Sequence, residues 1–440
     1  MSSELNTSYV AKFVIDPSIN NNKIKTKIYS SQYNKDYAIV NYDKNIVTND
    51  DIETGLYRSV VLNPDTKKVL CFSPPKSVPL DLFKEKFPDV NDPSLLVTNI
   101  IEGTMINLFY DPRLESWEIA TKGAVGGNYW FYRNTYEVNP VKQSTFLDMF
   151  KDTCLVPRET NINDIPFVKN LTKGCCYSFV LQHPENHIVF KINRPSLTIV
   201  AVYEISNEEW TMFDGRPSEK FNEPLSSQVY QLDIRNFYNS FVEYPFIRFP
   251  ISEYNNDYMN KCQTYDSLNK YCSLSSGYHM IGVMITDLKT GLRTKIINPN
   301  YKALKDIRSN HPNLQYQYFS LLKTGKVQEF LYYFPMYKSI FNKFNKQTED
   351  FITKLHDAYV QYFIKRMGNQ VKFDKPIFIH IHKIHNNIYI PSLSQTKKVI
   401  TRRLVKEEYF NNFEPKEMLY HVNYLSREME EFSKKGEIDV

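Results

Sequence analysis

The sequence predicts an α+β fold in which antiparallel-rich sheets give way to helices. Two changes of pattern carry that prediction. Up to about residue 300, short apolar runs alternate with polar residues and are cut by Asn, Asp, Pro and Gly turns, as strands require. Beyond that point apolar residues fall at helical spacing, as Phe351, Leu355, Tyr359, Tyr362 and Phe363 do. A third observation is the stretch 97–133. There an apolar strand reaches Glu102-Gly103-Thr104, a second strand follows at 105–110, and Asp111-Pro112 turns the chain into a third at 117–121. Thr121-Lys122-Gly123 and Gly126-Gly127 then open the backbone to a polar ligand.

In chain order, strands are expected at 9–15, 23–30 and 37–42, and a hairpin from 57–63 and 68–72 across Pro64-Asp65-Thr66. Short helices are expected at 79–87 and 144–151. Two strands should flank the turn His183-Pro184-Glu185-Asn186, with another at 197–205. Trp210, Phe213 and Gly215-Arg216-Pro217 read as a looped insertion, 228–243 as helix, and 255–257 as a turn. A hairpin joins 278–287 to 292–297. The tail reads as a basic helix at 397–409 and a last helix at 415–432. No internal repeat is visible.

Composition narrows the function classes. A chain of 440 residues can hold two or three domains. No run approaches the roughly 20 apolar residues of a membrane span, and the polar N-terminus lacks a signal-peptide core. The six cysteines show no CxxC spacing and read as free thiols in a reducing compartment. The net charge of +5 permits a polyanionic partner without demanding one. Heavy use of Asn, Lys, Ile and Tyr fits an AT-rich genome.

Four short stretches then occur in a telling order: IEGT at 101–104, FVLQHPENHIV at 179–189, HMIGVMI at 279–285 and TKIINPNYKALKDIR at 294–308. Their order and spacing resemble the RNA ligase family, within the covalent nucleotidyltransferases, over roughly residues 50–310. The likeness is to RNA-ligase-like proteins of large DNA viruses. It implies a ligase-type nucleotidyltransferase core at 51–305, an N-terminal strand-rich extension at 1–50 and a helical C-terminal domain at 306–440. In that family a lysine in a K-x-[DE]-G motif attacks ATP and carries AMP, with lysines and magnesium neutralising the phosphate.

Residue by residue, the likeness breaks at the catalytic groups. Glu102-Gly103 fits the end of the first motif, but Ile100 stands at the lysine. Val180 replaces the acidic residue after Phe179, and His187 replaces the arginine after Pro184-Glu185-Asn186. Ile281 replaces the glutamate of E-G-x-V. Lys295 matches the first lysine of K-x-K, and Ile297 replaces the second. An isoleucine has no lone pair to become adenylylated. Four changes to β-branched residues imply a cleft filled with aliphatics, since packed apolar groups can replace buried charges at little cost.

The resemblance therefore implies a catalytically inactive protein kept as a viral structural or nucleic-acid-binding module. RNA or other viral proteins would be its partners, no cofactor is expected, and the host cytoplasm or the virion is its place. The alternative is an active ATP- and magnesium-dependent RNA ligase in which Lys76, Lys122 or Lys295 serves as nucleophile. Lys76, in SPPKS, resembles the family's P-K-F-F element. If nucleotide is still bound, Glu102, Gly103, Lys76 and Lys295 would contact it. A third reading is nucleic-acid binding through Lys397, Lys398, Arg402, Arg403 and Lys406, weighed against a solvated helix face. His380, His382 and His385 read as a polar helix face, not a metal site. Trp117, Tyr129 and Trp130 read as core aromatics.

Overall fold

The computed structural model describes residues 9–424 except 17–18, 20, 32, 130–143, 187, 208–226, 251–261, 275–276, 310, 312, 368–372 and 395–396. The described residues form two compact units that divide between Asp306 and Ile307. Antiparallel sheets make up the first unit and helices the second.

Fourteen strands build the first unit: β1 (Tyr9–Ile15), β2 (Ile24–Ser30), β3 (Asp36–Tyr42), β4 (Val60–Leu62), β5 (Val69–Phe72), β6 (Leu95–Asn99), β7 (Thr104–Asp111), β8 (Ser116–Ala120), β9 (Cys175–Gln182), β10 (Ser196–Asn207), β11 (Ser227–Leu232), β12 (Ile247–Arg248), β13 (Gly282–Asp287) and β14 (Arg293–Ile297). The largest sheet runs β1-β11-β10-β9-β7-β8, with β12 lying parallel to β10. A second runs β2-β3-β4-β5 and a third β14-β13-β6. β9 is central and buried on both faces, which is why CCYSFVLQ is apolar without alternation. β2 is an outer strand whose exposed Lys25 and Lys27 discourage further pairing.

One core lies between the largest sheet and the helices Phe146–Thr153 and Pro166–Lys169, around Ile106, Trp117, Phe167 and Phe179. The helix at 146 starts in a capping box between Thr145 and Asp148. The four-stranded sheet covers the opposite face through Phe13, Tyr37, Phe72, Phe109 and Tyr203. A third core joins β6, β13 and β14 to the helices Leu80–Lys86 and Tyr265–Leu274. In the second unit, Lys338–Tyr359 is the long helix, and its buried stripe includes Phe351, Leu355 and Tyr359.

Three expectations are corrected. No strand forms after the turn at 183–186; residues 188–190 are bends whose amides are used elsewhere. The helix expected at 228–243 is instead β11, a 3-10 turn Ile234–Phe237 and one helical turn Tyr238–Phe241. There Val229 is buried and β11 pairs with both β1 and β10, so tertiary pairing overrides local preference. The basic tail helix begins only at Arg402, capped by the Thr401 side chain, because Lys397 takes a left-handed backbone (φ 43°). The last helix is described at Pro415–Val422. The looped insertion at 210–217 and the turn at 255–257 lie outside the described residues, as do His187 and Trp130.

Candidate functional site

Residues 100–103 carry the chain from the third sheet into the largest one. β6 pairs with β13 up to Asn99, and the next amide, Ile100 N–H, donates to the Gly282 carbonyl (3.0 Å). Glu102 then turns inward and is buried. Its Oε1 accepts from the amides of Ile188 (3.0 Å), Val189 (2.9 Å) and Phe190 (3.1 Å). Its Oε2 accepts from the Tyr301 hydroxyl (2.8 Å). Burial and this carboxylate push the Tyr301 phenol well up. Two glycines permit the close approaches. A Cβ at Gly103 (φ 154°) would meet the Leu181 carbonyl oxygen at 2.4 Å, and one at Gly282 (φ 140°) would meet that of Ile296 at 2.0 Å.

Glu102, with Ile188 and Tyr301 that it latches together, borders a cleft of about 830 Å³. Ile100, Ile281 and Ile297 line it together, with Lys76, Glu102, Gly103 and Lys295. Val180 lines an adjoining chamber of about 290 Å³ that shares Ile100, Gly103, Arg58 and Arg293 with the cleft. The motif positions therefore converge. The aliphatics line the space but do not fill it, which corrects the expectation of a plugged cleft.

The cleft walls are cationic. Arg58, Lys76, Arg293, Lys295, Lys302 and Lys305 face it, against Glu102 and Asp306. None of these six cations joins an ion pair among the described residues. Two guanidiniums converge on one proline pair. Arg293 Nε donates to the Pro75 carbonyl (2.8 Å) and its Nη2 to that of Pro74 (3.4 Å), while Arg58 Nη1 reaches Pro74 (3.5 Å). Burial, with Arg58 beside it, holds Arg293 down to about 10. Lys295 keeps an exposed side chain, yet its amine lies below the ordinary lysine value. Desolvation by the cleft walls comes first among the causes, then Arg58, Lys305, Arg293 and Lys76. Like charges gathered in excess of the nearby carboxylates are the arrangement an anion would stabilise.

The candidate lysines separate. Lys76 donates to the Thr48 carbonyl (2.7 Å) and sits 5.8 Å from the Tyr42 ring centroid. Lys295 faces the cleft. Lys122 lies against Tyr42 (5.3 Å), and it is Tyr42 that lines the cleft. Magnesium fits poorly. Glu102 already accepts four hydrogen bonds, and Val180 and Ile281 offer no oxygen where the resemblance would put carboxylates.

Three of the five basic tail candidates are paired with carboxylates. Arg402 (2.7 Å) and Lys406 both pair with Glu349, and Arg403 pairs with Glu407 (2.9 Å). The Lys398 amide donates to Ser392 Oγ (3.1 Å), and Lys397 is exposed. The three histidines do not form a polar face. His380 Nε2 meets His421 Nε2 (3.2 Å), His382 packs among Tyr362, Phe363 and Phe378, and His385 stacks on Phe363 (3.8 Å). Burial and His421 hold His380 down to about 3. Among the described residues no group of three or more His, Cys, Asp or Glu could hold a metal ion. Trp117 and Tyr129 pack in or against the first core. Arg58, Arg293, Lys302 and Lys305 were missed from sequence. Arg293 and Lys295 share one face of a strand at i, i+2, and Lys302 and Lys305 share a helix face at i, i+3, signals that were readable. Arg58 carried none.

No family model matches the chain. The "Immediate-early protein ICP-46 homolog" of Invertebrate iridescent virus 6 is 19% identical over 435 residues, covering 86% of this chain and 86% of that protein. Among solved structures, a protein described as an ATP-dependent DNA ligase from Aquifex aeolicus superposes with a TM-score of 0.34 at 12% identity, covering 83% of this chain and 85% of that one. So loose a superposition assigns no fold. All six cysteines are buried and none joins a disulfide among the described residues, and no described helix is long and apolar enough to cross a membrane.

Proposed function

We propose that the protein is a catalytically inactive, RNA-ligase-like binding module whose cleft holds the phosphates of RNA. One observation carries the reading: six cations, none of them in an ion pair among the described residues, line a cleft in which an isoleucine stands at the nucleophile position. The convergence of all four motif stretches on that cleft and its adjoining chamber supports the ligase-like scaffold. Similarity to an iridovirus protein supports a viral setting, in host cytoplasm or virion. A focused positive potential attracts polyphosphate backbones, and a cleft of about 830 Å³ has room for more than one phosphate.

The test has two arms. Incubation with α-labelled ATP and magnesium should leave no label stable to a denaturing gel. A 5′-phosphorylated RNA oligonucleotide should bind, and Lys295→Gln with Lys305→Gln should weaken it about tenfold or more at moderate salt. Covalent label, or affinity indifferent to those charges, would overturn the reading. The second reading is a ligase using a relocated lysine, favoured by the lowered amine of Lys295 facing the cleft. It requires the label to form and to vanish in Lys295→Arg.

A further inference from the structure

We propose that His380 and His421 form an acid-sensitive clasp: two neutral rings, bonded to each other, that tie the helix Pro415–Val422 to the helix Lys375–Ile384 near neutrality and let go in mild acid. The clasp lies in the helical unit and owes nothing to the phosphate-binding reading above.

His380 Nε2 lies 3.2 Å from His421 Nε2, and His421 Nδ1 lies 3.3 Å from the Tyr409 hydroxyl on the helix Arg402–Asn412. One hydrogen-bonded chain therefore crosses three helices. Aromatic rings surround it. Phe413 meets His380 at 4.4 Å and His421 at 5.1 Å between centroids, both edge-on, and Phe351 stacks on His421 at 6.2 Å. His380 is 4% exposed, and its Nδ1 is buried with no hydrogen-bond partner among the described residues. A bond between two imidazole nitrogens needs a lone pair on one of them. One added proton leaves that bond possible but holds a charge among aromatic rings, away from water. A second sets two N–H donors against each other at 3.2 Å with no acceptor between them.

The charged groups around the pair are mixed. Lys383, on the helix of His380, and Lys354, on the long helix, oppose protonation. Glu417 near His421, Glu408 beside the cavity that His380 lines, and Asp350 and Asp374 beside the cavity that His421 lines favour it. Lys323, from the helix Leu314–Lys323 packed on Pro415–Val422, is paired with Glu414 (2.6 Å). Burial outweighs the carboxylates. Burial first, then His421 and Lys383, holds His380 down to about 3, and burial holds His421 down to about 4 against the pull of Glu417. Both lie below the ordinary 6.5, so in acid the unfolded helices take up protons that the folded ones refuse. The stability the pair contributes is complete above about 6.5, falls as pH drops, and levels off below about 3. At pH 5 each ring should lower the folding equilibrium of the helical unit by roughly thirtyfold.

The test uses the full chain. Amide hydrogen exchange, corrected for the intrinsic effect of pH on its rate, is followed by mass spectrometry from pH 7.5 to 5. Protection in peptides covering 375–384 and 415–422 should fall by about a hundredfold or more, and protection in β7 and β9 should not fall. In His380→Gln with His421→Gln, two amides can share a bond and neither titrates, so the fall should shrink by about tenfold or more. Deuterium exchange at the imidazole C2 position reads the ring titrations in the parent chain, whether or not that variant folds. His380 and His421 should titrate at least about one pH unit below the ordinary histidine value. An equal fall in the parent and the double variant, or both rings titrating at the ordinary value, would overturn the proposal.

Discussion

At the residue scale, Glu102 shows how a catalytic-looking side chain can be spent on structure. Its four hydrogen bonds tie residues 188–190 and Tyr301 to the segment that crosses between sheets. Removing a buried carboxylate leaves three amides and a hydroxyl without their acceptor. Glu102→Ala should therefore destabilise by about 3 kcal/mol or more, read by chemical denaturation. A loss under about 1 kcal/mol would show that the latch is not structural. Glu118 gives a pH prediction. Burial, then the neighbouring Asp111, pushes it up to about 7, and the side chain is buried on β8. Its pKa is raised in the folded state, so the folded chain holds the proton more tightly. That stabilisation is fully present below about 4.5 and is lost as pH rises through about 7, a swing of about 3 kcal/mol. Glu118→Gln should flatten the stability profile across that window and raise stability at pH 8. An unchanged profile would contradict the assignment.

At the scale of elements, the pairing of β13 with β14 sets the cleft. It places Lys295 opposite Met284 and Ile297 opposite Gly282, next to Ile281, and Gly282 lets the strands approach where any Cβ would strike the Ile296 carbonyl. Gly282→Ala should cost several kcal/mol through strained backbone and a disturbed ladder, and should weaken RNA binding alongside. A variant as stable as the parent would mean the pairing tolerates a side chain. Elements were legible from sequence where local pattern and tertiary role agree. The strands Tyr9–Ile15, Thr104–Asp111 and Arg293–Ile297 alternate or run apolar, and the stripe on Lys338–Tyr359 is regular. β11 was not legible, because its partners β1 and β10 lie 20 residues or more away at their nearest paired positions. Residues 188–190 read as apolar strand, but their amides serve Glu102.

At the scale of the whole molecule, two units carry different kinds of charge. In the helical unit, three of the five basic tail side chains are neutralised by Glu349 and Glu407. In the β unit the six cleft cations outnumber the lining carboxylates Glu102 and Asp306, and none joins an ion pair among the described residues. The sequence showed both sets as scattered lysines and arginines, and only the positions of acidic partners separate them. The motif order located the cleft, since Ile100, Ile281 and Ile297 do meet. The order could not show that aliphatic replacements leave the space open, because volume depends on backbone separation and not on residue type.

If the cleft cations make this a phosphate site, RNA affinity must depend on salt, and differently in the parent chain and in Lys295→Gln with Lys305→Gln. Log affinity should fall steeply with log salt in the parent, with a slope shallower by about two in the double variant. Equal slopes in the two proteins would contradict it.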